Sequence, residues 1–94
     1  MSYTEEFTAT QGAWLKVADG VANAFVQLQS SGPVKVAVAQ SLPGLGSWTG
    51  AELDDAGLQE LSIDGMEAGD AVYVRSRHDE DNLVVVVAPG VAPA

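Results

Sequence analysis

The sequence predicts an all-β fold, a small antiparallel β-sandwich or barrel of about six strands. Three observations predict it. Apolar side chains recur at every second position through several short runs. Clusters of Gly, Pro, Asp and Ser separate these runs at roughly the 8–12-residue spacing of antiparallel β domains. No helical period runs long enough for a βαβ unit. Ninety-four residues make one domain, near the lower end of what folds unaided. Its body is residues 11–90. Hydrophobic residues make up 47% of the chain and aromatics only 6%, so Ala and Val dominate the apolar fraction. Small and β-branched residues suit thin sheet layers.

Residues 1–10, MSYTEEFTAT, are polar and lack a period, which predicts a flexible or extended arm. Trp14 and Lys16 then alternate with Ala13, Leu15 and Val17, a short strand ended by the Asp19-Gly20 turn signal. Next, Ala24, Val26 and Leu28 share one face, and Phe25, Gln27 and Gln29 the other. Val34, Val36 and Val38 alternate with Lys35, Ala37 and Ala39. Ser30-Ser31-Gly32-Pro33 lies between these two runs and reads as a tight turn, so together they predict a β-hairpin. The stretch LPGLGSWTGAELDDAG is irregular, with room for one helical turn over 52–56. LQELSID alternates Leu58 and Glu60 imperfectly against Gln59, Leu61 and Ile63, a strand, and GMEAGD is a turn. AVYVRSR directs Val72 and Val74 inward, with Tyr73, Arg75 and Arg77 on the opposite face. HDEDN is a charged loop, LVVVVAP the last strand, and residues 91–94 a tail.

That last strand does not alternate. Leu83 to Val87 is apolar throughout, which predicts that both of its faces are covered. A two-sheet sandwich covers one. The other needs a second subunit or the chain's own Leu42–Trp48 loop, because an exposed run of this kind invites strand aggregation. The expectation adopted is a subunit interface made by Leu83, Val85 and Val87, with Tyr73 and Arg75 at its salt-bridged rim, where acids of the 52–70 stretch pair with the arginines.

Thirteen acids against four basic residues give a formal charge of −9, and ten of the acids fall between Glu52 and Asp81. Phosphate is repelled by such a field, so direct binding to nucleic acid or an anionic membrane is not expected. The first residues carry two acids and no basic or apolar leader, and no segment approaches the ~20 apolar residues of a membrane helix; the expectation is a soluble protein made in a cytoplasm. There is no cysteine, which removes disulfides and thiolate catalysis.

No residue set carries recognisable chemistry, so neither an enzyme nor a cofactor is expected. His78 is the sole histidine, set among acids, and no G-x-S-x-G occurs. PGLGSWTG lacks the lysine and the following helix of a phosphate loop. HDEDN at 78–82 does not match the D-x-[DN]-x-[DN]-G calcium pattern and reads as a solvated turn. Asp54 and Asp55 are adjacent acids in a charged loop. Trp48 is a candidate glycan contact, since sugar rings stack on exposed aromatics; the alternative is that it anchors its own loop.

KVADG, AFVQLQSSGPVKVAVAQSLP, GMEAGDAVYVRSR and VVVVAPG follow one another in an order that resembles small β-rich virion proteins of tailed bacteriophages, of the capsid decoration (cement) or head-fibre type. The resemblance covers most of residues 12–90. It implies a sandwich or jelly-roll-like fold, no enzyme activity, and a place on the virion capsid surface, bound to the major capsid protein, commonly as a homotrimer. An N-terminal arm then reaches along the shell, with Tyr3, Glu5, Glu6 and Phe7 as its contacts. Two other functions compete: a carbohydrate- or receptor-binding fibre or tail module, and an acidic inhibitor of a host nucleic-acid-binding enzyme.

Overall fold

The computed structural model describes residues 2–30, 32–44, 46, 50–78 and 81–89. They form eight strands: β1 (Ser2–Ala9), β2 (Leu15–Asp19), β3 (Ala24–Leu28), β4 (Val34–Ala39), β5 (Ala51–Leu53), β6 (Glu60–Ile63), β7 (Ala71–Ser76) and β8 (Asn82–Pro89). Two four-stranded sheets result, in the orders β1-β8-β3-β6 and β2-β7-β4-β5, with every neighbour antiparallel. The chain is a small β-sandwich. Its pairings nest: β1 with β8, β2 with β7, β3 with β6, β4 with β5. One long ribbon of four strand pairs, rolled until β3 meets β8 and β4 meets β7, generates this order. It is the path of a jelly roll.

The core lies between the sheets. Val26, Val84 and Val86 from one sheet meet Val34, Leu53, Val72 and Val74 from the other, all fully buried. Each such valine contributes about 1.5–3 kcal/mol over exposure. Their β-branched shape suits the pleated, buried faces of the two sheets.

Three expectations are corrected. First, the runs 24–28 and 34–39 are strands with the foreseen faces, but they do not pair as a hairpin: β3 belongs to one sheet and β4 to the other. Both present apolar inner faces, which bury each other across the sandwich rather than side by side. The connection is stitched to the β7–β8 corner instead. Gln29 N–H donates to the Leu83 carbonyl (2.8 Å), and Arg77 N–H to that of Pro33 (3.1 Å). The Leu83 N–H donates to Ser30 Oγ (2.8 Å).

Second, residues 2–9 are no free arm. They pair with β8 through eight consecutive positions, from Ser2 opposite Pro89 to Ala9 opposite Asn82. Ala9 is fully buried and Phe7 packs on the core, so β1 supplies part of the domain's own inner face. Third, residues 51–53 are a strand rather than the start of a helical turn, because Leu53 is drawn into the core opposite Val34. The tail, 91–94, lies outside the described residues.

Candidate functional site

In an antiparallel sheet, residues directly opposite one another share a face. Val84 and Val86 face the core, so Leu83, Val85 and Val87 point outward. The register then assembles the outer face row by row. Thr4, Val87, Phe25 and Ser62 form one row, and Glu6, Val85, Gln27 and Glu60 the next. Thr8 sits opposite Leu83. Leu83, Val85 and Phe25 are half-buried by their neighbours, and Val87 is 36% exposed.

The unbroken apolar run thus alternates in burial although it does not alternate in sequence. Its outward half is an apolar strip of three residues, widened at one end by Phe25 and flanked by threonine, glutamine and glutamate. No lysine or arginine occurs on this sheet. Lys16, Lys35, Arg75 and Arg77 all belong to the other sheet or its immediate continuation. Of the two covers foreseen for the strip, the described part of the 42–48 loop does not provide one. Leu42 is exposed, and Gly44 is held over the opposite sheet by Trp14.

That opposite outer face is covered over β7. Trp14, Ala37, Ala71 and Tyr73 form a second buried cluster there, with Ala39 packed against it. Trp14 Nε1–H donates to the Gly44 carbonyl (3.2 Å). The Arg75 guanidinium stands 5.9 Å from the centroid of the Trp14 ring, and its Nε donates to the Gln11 carbonyl (2.7 Å). Trp14 and the Gln11 backbone lie over β7, where Tyr73 and Arg75 are 4% and 6% exposed. The foreseen rim of Tyr73 and Arg75 is therefore not beside Leu83, Val85 and Val87. It lies on the other sheet, beneath the chain's own Trp14. Arg77, past the end of β7, reaches solvent, where it pairs with Glu52 at 2.7 Å, an acid of the 52–70 stretch as foreseen.

The remaining candidates disperse. Glu5 and Glu6 are exposed in β1, while Tyr3 keeps its backbone position opposite Ala88. Asp54 Oδ1 accepts the Ala56 N–H (2.8 Å), so this carboxylate closes its own turn. Among the described residues no three His, Asp or Glu side chains gather as a metal site would require. Asp79, Glu80 and Trp48 lie outside the described residues. Trp14, buried and hydrogen-bonded, offers no open ring for a sugar.

One group escaped the sequence reading. Asn82 and Ser76, both buried, form a polar bolt with the carbonyl of Ala9 and the N–H of Gly32. The signal was there: each is a polar residue at the end of an apolar strand, on the inward parity.

No known protein family matches this chain, and neither does any curated protein or solved structure.

Proposed function

We propose that the chain is a non-enzymatic structural protein of a virus particle, a decoration protein of the tailed-phage type that docks on the major capsid protein as a symmetric homo-oligomer, a trimer. The observation that carries this reading is the outward apolar strip Leu83–Val85–Val87 with Phe25, on a sheet whose opposite face is the core. Burial of such a strip gains about 25 cal/mol per Å². The strip is small beside the ~800 Å² that each partner commits to a standard interface. A protein that binds through small patches holds on by presenting several of them at once, and a symmetric oligomer on a symmetric shell does this. The net charge of −9 keeps the free protein dispersed and directs it toward protein rather than packaged nucleic acid. Jelly rolls occur in viral capsid proteins and also in lectins, so the fold by itself does not choose between them.

The test is quantitative mass spectrometry of gradient-purified particles from the source lysate. A copy number close to that of the major capsid protein is the expected result. Absence of the chain from the particles overturns the reading.

A further inference from the structure

The sandwich has four sheet edges, and three of them are blunted. β5 has three residues and β6 four, while β2 has five and is broken by a register shift between Lys16 and Ala18. Short strands and bulges are the usual protection against unwanted pairing. β1 is different. It is eight residues long, keeps register with β8 throughout, and ends the order β1-β8-β3-β6. Every second residue of an edge strand turns its N–H and C=O away from its only neighbour. Among the described residues no strand pairs with that edge; at its far end the Ala9 carbonyl accepts from Ser76 Oγ.

The charge on this edge says what suits it. Glu5 and Glu6 stand in the middle of β1 on opposite faces, both exposed. The ion pairs among the described residues, Lys16–Asp19 and Arg77–Glu52, involve neither. A second copy of β1 is a poor occupant. Antiparallel pairing that keeps both cores on one side sets residues of like parity opposite each other. The two registers that use most of the strand then place Glu5 against Glu5 or Glu6 against Glu6, and like charges directly opposite are destabilising. The edge is barred to itself and open to a cation-bearing strand.

We infer that the free edge of β1 is a strand-addition site for an extended segment of a different protein that carries two consecutive basic residues opposite Glu5 and Glu6. Backbone hydrogen bonds supply the affinity, and the Glu5–Glu6 pair, which demands a positive charge on each face of the incoming strand, supplies the selectivity. An apolar residue beside the basic pair meets half-buried Phe7. The inference stands on the edge and its charges, and it holds whether or not the chain belongs to a particle.

The experiment uses the full chain, ¹⁵N-labelled, with two octapeptides as probes: Thr-Thr-Val-Lys-Lys-Thr-Val-Thr, and the same peptide with Glu-Glu for Lys-Lys. Each carries N-methyl groups along one edge so that it pairs on one side only. The readout is amide hydrogen exchange by residue. With the Lys-Lys peptide, alternate amides of residues 2–9 slow by about tenfold or more, and the Glu-Glu peptide leaves them unchanged. The E5Q/E6Q double variant weakens the Lys-Lys peptide about tenfold, the scale of two lost charge-assisted contacts. The inference is overturned if neither peptide slows those amides, if both do so equally, or if the perturbed amides lie in β3 and β8 rather than β1.

Discussion

The side-chain amide of Asn82 donates to the hydroxyl of Ser76 across 3.0 Å, at the closed end of the sandwich where neither residue meets water. Ser76 in turn donates to the Ala9 carbonyl (2.8 Å), and Asn82 Oδ1 accepts the Gly32 N–H (2.9 Å). Two side chains thereby bolt together the end of β1, the end of β7, the start of β8 and the turn between β3 and β4. Removing either leaves buried polar groups unpaired, at about 1–3 kcal/mol for each group. Asn82→Ala is expected to lower stability by about 2–4 kcal/mol, and Ser76→Ala by about 1–3 kcal/mol. The double variant loses less than the sum, because the bond they share is lost only once. Urea midpoints at constant m-value check all three.

Gly32 belongs to the same corner and has a φ of +72°. A Cβ there meets the Leu53 carbonyl oxygen at 2.8 Å. Gly20 has a similar φ of +65° but open space around it. Gly20→Ala therefore costs about 1–2 kcal/mol from backbone conformation alone. Gly32→Ala costs that plus displacement of β5, and its thermal midpoint should fall clearly below that of Gly20→Ala in a scan of the two variants.

Deletion of residues 1–10 should unfold the domain rather than trim an appendage. It strips β8 of one of its two partners and uncovers the core beside Ala9 and Phe7. The expected outcome is loss of the cooperative unfolding transition. A truncated chain that still melts cooperatively near the full-length midpoint contradicts the assignment of β1.

Trp14 closes the second cluster as a lid. Trp14→Phe keeps most of the apolar contact but loses the bond to Gly44, at about 1 kcal/mol. Trp14→Ala uncovers Tyr73 and Arg75 and costs about 3 kcal/mol or more. Denaturant titration separates the two, with faster exchange of the Tyr73 amide expected only in the alanine variant.

Much of the sheet content was legible locally. The alternation in 24–28, 34–37 and 71–75 gave the correct faces, because period two is a property of each strand alone. What failed was pairing. In a nested roll nearly every partner is distant, and among the described residues β4–β5 is the only pair of consecutive strands that lie side by side. The turn at 30–33 has the chemistry of a hairpin but joins two sheets, a difference decided by contacts with Leu83, Arg77 and Asn82 far along the chain. β1 was missed because Glu5 occupies an inward-parity position yet is exposed, which breaks the pattern that Phe7 and Ala9 begin. Leu83, Val85 and Val87 were rightly grouped as one face, since residues two apart on a strand cannot separate. Tyr73 and Arg75 were misplaced because no local signal tells that Trp14 folds over them.

Val85 and Val86 are adjacent in sequence and opposite in consequence. Val86 is fully buried, so Val86→Ala should cost about 2–3 kcal/mol. Val85 faces outward opposite Glu6, where a lysine reaches both solvent and a carboxylate, so Val85→Lys should leave stability within about 0.5 kcal/mol. The decisive measurement is the copy number of wild-type and Val85→Lys chains on gradient-purified particles, by quantitative mass spectrometry against the major capsid protein. If the outer face of β8 is buried when the oligomer assembles on the shell, the wild type approaches capsid stoichiometry and the folded variant falls at least tenfold. A Val85→Lys chain that decorates particles at the wild-type level contradicts the account.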